Sequence, residues 1–235
     1  MFTGVLNCKG DENGTETNLR DHDRKNGPMI KVLVTAFGAF PGAPSNPTLA
    51  LARELERRHG KRLARLSIAL HTRILPVRFA EVEGVLASAL DQLRPDVVLH
   101  LGLAGRRAAL SVELRALNRL GTLRPDAARA FAASRAVLEG DRFQRVARWP
   151  AHRIRAAMDQ FAITRLSMDA GDYVCNQTLY LTLSRTRGFV GFIHVPRPAK
   201  GGRHRPGLAR MVEATAVALI LMSGEARASS RAPRA

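Results

Sequence analysis

The sequence is poor in cysteine, aromatic residues and lysine, and each shortage excludes something. Two cysteines, Cys8 and Cys175, cannot build a disulfide framework, and a chain of 235 residues buries enough surface to need none. A reduced, cytoplasmic setting is the expectation. Aromatics are 5% of the residues, too few for a base-stacking surface. No uncharged apolar run approaches the roughly 18 residues of a membrane helix. No apolar signal-peptide core opens the chain. No His/Cys cluster has zinc-ligand spacing, and no metal or other cofactor is expected. Walker, Gly-x-Gly-x-x-Gly and Gly-x-Ser-x-Gly fingerprints are missing as well.

Acids are outnumbered: 37 Lys+Arg face 20 Asp+Glu, a formal net charge of +17. The lysines are Lys9, Lys25, Lys31, Lys61 and Lys200, so the excess is arginine, spread along the whole chain. The densest stretches are Arg57 to Arg62, which reads as a helix end running into a loop, and Arg197 to Arg205. A general Arg-rich composition with weak adhesion to polyanions accounts for this better than specific nucleic-acid binding.

Residues 1–28 are polar, carry no apolar period and read as a disordered extension, with Met29 a candidate start. Residues 224–235 read as a loose tail. Between them, residues 29–223 form one domain in which apolar strands alternate with amphipathic helices. Strands are expected over Lys31–Phe37, Leu66–Leu75, Asp96–Leu103, Ala162–Met168 and Phe189–Val195. Several are continuous apolar runs, as strands covered on both faces require. Asn46-Pro47 is a helix start, and Gly60 is read as that helix's end. Further helices are expected over Phe79–Leu93, Pro150–Phe161, Val174–Leu183 and Leu208–Met222. Residues 111–148 carry no readable period. The order implies a three-layer α/β/α sandwich with a largely parallel, mixed central sheet.

In such folds sites assemble where strands run into helices. Cys175 falls in the first turn of a helix after Ser167-Met168-Asp169-Ala170-Gly171-Asp172-Tyr173-Val174. Free N–H groups and the positive dipole end there are expected to lower its pKa and make it a nucleophile. Taken alone, an inert buried thiol is the plainer reading. His194, at the end of an apolar strand before Pro196, is placed to act as a base, though a packed core histidine fits as well. His100 reads as packed within its strand, and His204, in a basic loop, is a weaker competitor. Glu113 is an acid among apolar neighbours, able to orient an imidazole or simply to pair with an arginine. The turn Thr35 to Pro47 offers Phe37 and Phe40 on a Gly-rich loop, which can line a small pocket.

Together these pieces resemble the pyroglutamyl-peptidase I family of cysteine peptidases, from about Lys31 to Met222. Ala170-Gly171-Asp172-Tyr173-Val174-Cys175-Asn176 is similar to the family's nucleophile motif, Gly191-Phe192-Ile193-His194-Val195-Pro196 to its histidine motif, and Glu113 with Asn118 to the motif of its third triad member. The resemblance implies a Cys175–His194–Glu113 triad, a thioester intermediate and peptides bearing N-terminal pyroglutamate as substrates. It places Phe37, Phe40, Asn46, Arg107, Ala170 and Gly171 on the substrate-binding side, with Phe37 against the lactam ring and Arg107 as polar support. It also implies a homo-oligomer. The chain departs from the family pattern at Leu103 (Gln in the family), Arg106 (Gly), Leu123 (Arg) and Ala127 (Asn). Arg197-Pro198-Ala199-Lys200 replaces Pro-Glu-Gln, and Ala36, Ala39 and Pro41 also differ. These changes bear on substrate more than on chemistry. A cysteine hydrolase of another N-acyl or amide substrate, and a non-catalytic, positively charged binding protein on the same fold, remain as alternatives.

Overall fold

The apolar run after Ile30 is divided by strand alternation between two hydrophobic layers. Val32, Val34 and Ala36 join one buried cluster while Leu33 and Phe37 join the other. The computed structural model describes residues 28–199 and 205–231. Its elements are β1 (Ile30–Phe37), α1 (Pro47–Arg65), β2 (Ile68–Leu75), α2 (Phe79–Leu93), β3 (Val97–Leu103), β4 (Leu110–Glu113), β5 (Arg115–Leu117), β6 (Gln144–Val146), α3 (Ala151–Asp159), β7 (Thr164–Ser167), α4 (Val174–Arg185), β8 (Phe189–Val195) and α5 (Leu208–Arg231).

A six-stranded sheet runs in the order β2-β1-β3-β8-β4-β7. The first four strands are mutually parallel, and β4 pairs antiparallel with β8 and parallel with β7. Side chains of α1, α3 and α5 pack on one face of the sheet and those of α2 and α4 on the other, giving the expected three layers. The reversed β4–β7 pair matters for the site. The segment carrying Cys175 leaves a strand that runs against β8, so it does not issue from the C-terminal edge of the parallel strands as a simple doubly wound order suggests. β5 and β6 form a separate antiparallel ribbon inside the stretch that has no readable period. Asn118 and Asp126 organise the rest of that stretch. The Asn118 side-chain oxygen Oδ1 accepts from the N–H groups of Val137 and Leu138. Buried Asp126 accepts from the Phe79 N–H at the start of α2 and from Ala128 and Ala130.

Two helices run further than the sequence signals suggest. Asn46 caps α1 as expected, accepting from the Thr48 N–H at 3.1 Å. Gly60 does not end the helix, and Arg57 to Arg62 lie inside it rather than at a loop. A mid-helix glycine costs about 1 kcal/mol, whereas burying Leu63 beside Leu51 and Leu55 is worth roughly 1.5–3 kcal/mol. Glu54 further ties down Arg57 and Arg58 at 2.8 Å each. The tail expected to be loose from residue 224 is helical to Arg231. Ala226 is buried against the core, and the Arg227 guanidinium donates to the carbonyls of Leu66 and Ser67, closing the end of α1. Residues 1–27 with Cys8, residues 200–204 with Lys200 and His204, and residues 232–235 lie outside the described residues. Among the described residues, no helix is long and apolar enough to cross a membrane.

Candidate active site

The turn before α4 is built by short side chains folding back on the backbone. Ser167 Oγ accepts from the Asp169 N–H, and the Asp169 carboxylate accepts from the Gly171 N–H at 2.9 Å. Gly171 sits at φ +88°, a conformation open to glycine. α4 then begins at Val174, with Cys175 in its first turn. Asn176 locks this start to β5 and the loop after it. Its side chain accepts from Leu117 N–H at 2.9 Å and donates to the carbonyls of Leu117 and Arg119. The neighbouring strand leaves room for the thiol only because residue 102 has no side chain. A Cβ there would meet Phe192 at 2.6 Å and Cys175 Sγ at 2.9 Å.

His194 stands on β8 beside this helix start and is almost fully buried. Its Nδ1 lies 2.8 Å from Glu113 Oε1, which leaves Nε2 as the nitrogen available to Cys175. Glu113, at the end of β4, is fully buried. The same Oε1 accepts from Arg107 Nη1 at 2.7 Å, and Arg107 Nη2 donates to the Asp169 carbonyl at 2.8 Å. Arg107 therefore ties the carboxylate of the Glu113–His194 pair to the nucleophile's turn. Glu113 Oε1 thus contacts both an arginine and the imidazole. His100 is packed as expected, bonded to Thr35 and Thr182, and burial pushes its pKa down to about 3.

Burial also pushes the Cys175 thiol up to about 12, with the Glu113 charge adding to the rise. Arg124, Arg107 and the residue's own N–H pull the other way and lose. This reverses the expectation of a dipole-lowered pKa: a helix N-terminus is worth about 1 kcal/mol at its usual strength, less than the cost of a charge out of water. Desolvation thus favours the neutral form of the Cys175 thiol. Alkylation by iodoacetamide is accordingly expected to accelerate with pH through the ordinary thiol value of 9.0 without an earlier plateau. A plateau at neutral pH contradicts this. The folded pKa lies above the unfolded one, so this contribution to stability is complete below about 9 and is lost as pH rises towards 12.

Cys175 and His194 open on a cleft of about 750 Å³. Of the residues expected on the substrate side, Phe40, Arg107, Ala170 and Gly171 line it. Phe37 and Asn46 do not: Phe37 is a core residue and Asn46 is the α1 cap, so neither faces the cleft. Leu123 is 90% exposed, while its neighbours Arg124 and Pro125 are in the wall. Tyr173 completes that wall, donating to the Pro125 carbonyl at 2.9 Å and packing edge-on to Phe79 at 5.1 Å. Tyr173 was within reach of sequence reasoning, two residues before the candidate nucleophile. Arg124 and Pro125 lie in the stretch without a period and carried no signal. Among the described residues, no three His, Cys, Asp or Glu side chains gather to hold a metal ion.

A thiol at a helix start, an imidazole on the adjoining strand and a buried carboxylate behind it make up the side-chain set of a cysteine hydrolase. Comparison with known proteins sharpens the class. The family model described as pyroglutamyl peptidase matches residues 30–226, and the chain belongs to that family. It is 34% identical over 173 residues to the pyrrolidone-carboxylate peptidase of Pyrococcus furiosus, covering 71% of this chain and 81% of the relative. It is 35% identical over 202 residues to pyrrolidone-carboxylate peptidase 1 of Ralstonia nicotianae, covering 81% and 89%. The crystal structure of pyrrolidone carboxyl peptidase from Thermus thermophilus superposes with a TM-score of 0.71 at 32% identity, covering 81% of this chain and 99% of that one.

Proposed function

We propose that this protein is a cysteine peptidase that removes an N-terminal pyroglutamyl residue from peptides, with Cys175 as nucleophile, His194 as acid–base and Glu113 as the group that orients His194. The observation that carries the reading is His194, held by the buried Glu113, opening on the same cleft as Cys175. Cys175 Sγ attacks the carbonyl that joins pyroglutamate to the next residue, and His194 takes the thiol proton as the C–S bond forms. A thiol that is neutral at rest makes this base essential. N–H groups of the first turn of α4 face the developing oxyanion, where one donor is worth about 3–4 kcal/mol. The imidazolium then protonates the leaving amine as the C–N bond breaks. Water, deprotonated by His194, hydrolyses the thioester and restores the thiol. A pyroglutamyl group is a small neutral lactam. Phe40, Leu103, Pro125 and Tyr173 give it apolar walls, and the backbone around Ala170 and Gly171 supplies amide partners. A reducing compartment such as the cytoplasm suits a free thiol.

The test is release of fluorophore from a pyroglutamyl-aminocoumarin amide, beside the alanyl, prolyl and N-acetylalanyl amides. Release is expected from the pyroglutamyl amide alone. Leu103 favours a second reading, a hydrolase of another N-acyl amide, because it presents an aliphatic wall where an amide side chain would grip a lactam. Release from N-acetylalanyl amide at the higher rate would establish that reading.

A further inference from the structure

We propose that the leaving-group side of this cleft selects peptides bearing a carboxylate close behind the pyroglutamyl residue, read by Arg106 and Arg197. This deepens the proposed function and rests on it. Among the described residues, four arginines line the cleft, Arg106, Arg107, Arg124 and Arg197, against a single carboxylate, Asp169. Two of the four are already matched. Arg107 is bound to Glu113 at 2.7 Å, and Arg124 is bound to Asp172 at 2.7 Å with the Tyr173 ring 5.2 Å away. Asp169 is itself paired with Arg119 at 3.4 Å. Arg106 and Arg197 have no carboxylate partner among the described residues. Arg197 donates only to the neutral Gly42 carbonyl, at 2.6 Å, which holds its guanidinium across the cleft mouth.

Their position decides which part of a substrate they meet. His194 must protonate the departing nitrogen, so the departing peptide lies on the His194 side of Cys175. Arg197 is three residues beyond His194 on the same segment, and its Nε packs 3.2 Å from where a Cβ on Gly105 would sit. Gly105 precedes Arg106, so the two unmatched cations share one rim on that side. The lactam itself is neutral and gives them nothing to bind. A carboxylate one residue further on does, whether it is an acidic side chain or the free end of a short peptide. Both arginines are exposed, so the attraction is screened by salt and amounts to a modest factor.

The test compares kcat/KM for pyroglutamyl-glutamate amide, pyroglutamyl-glutamine amide, pyroglutamyl-lysine amide and free-acid pyroglutamyl-glutamine, at low and high salt. The wild type is expected to favour the glutamate amide over the glutamine amide by about three- to fivefold at low salt, with the lysine amide last and the differences shrinking at high salt. Arg106→Glu and, separately, Arg197→Glu should reverse the order of the glutamate and lysine amides. Because Arg197 also holds Gly42, the Arg106 variant is the cleaner of the two. A preference for the free acid without one for the glutamate side chain would identify the carboxylate as the chain end. Equal rates for all four in the wild type, or an order unmoved by Arg106→Glu, would overturn the inference while leaving the peptidase intact. Turnover of none of them would remove the peptidase reading and this inference with it.

Discussion

Cys175→Ala is expected to remain folded and to lose turnover of a pyroglutamyl amide by about 10⁴-fold or more, measured as kcat beside a thermal melt. The loss is large because the thiol is the atom that bonds to substrate, and among the described residues nothing else lining the cleft is a nucleophile of comparable strength. The stability cost is small because the side chain is small: removing one half-buried sulfur atom costs about 1 kcal/mol. Cys175→Ser should keep the fold and still fail, since a serine hydroxyl in the same position is harder to deprotonate than a thiol already pushed up to about 12. Activity retained in either variant removes Cys175 from the chemistry.

Glu113→Ala is expected to lower kcat by about 10³-fold and to cost about 3 kcal/mol of stability. Two donors converge on Glu113 Oε1, His194 Nδ1 and Arg107 Nη1, so one substitution strands both. The stability cost sits at the low end for a broken buried pair because Arg107 is partly exposed and water can reach it. Glu113→Gln keeps the shape and one acceptor, so it should lose less activity than His194→Ala. Arg107→Ala leaves the Glu113–His194 bond in place, and a loss of about tenfold is expected, roughly one charged hydrogen bond's worth of positioning. Equal, complete loss in Arg107→Ala and Glu113→Ala with intact folding would mean that Arg107 acts on substrate directly.

Legibility followed periodicity. The strand and helix order, the Asn46 cap and the packed His100 were readable because apolar spacing and cap chemistry act locally. The end of α1 was misread at Gly60 because a weak local penalty was outweighed by Leu63, whose burial depends on α5 and the sheet. The tail past residue 224 was misread for the same reason, since Arg227 is fixed by carbonyls 160 positions away in sequence. At the site, Cys175, His194 and Glu113 could be named from motif context, but the sign of the thiol's pKa shift could not. Helix position pointed one way, and desolvation, a property of the folded surroundings, went the other. Phe37 and Phe40 look equivalent in sequence. Only the chain's path after β1 buries the first and leaves the second in the cleft.

The central claim is that Cys175 Sγ bonds covalently to the pyroglutamyl carbonyl. An affinity label tests it most directly: a pyroglutamyl chloromethyl ketone, whose lactam seeks the cleft while a thiol displaces its chloride to form a stable thioether. The expected result is one label per chain, on the peptide containing Cys175, with activity falling in proportion and Cys8 unmodified. Labelling at any other residue, or full activity with Cys175 modified, would contradict it.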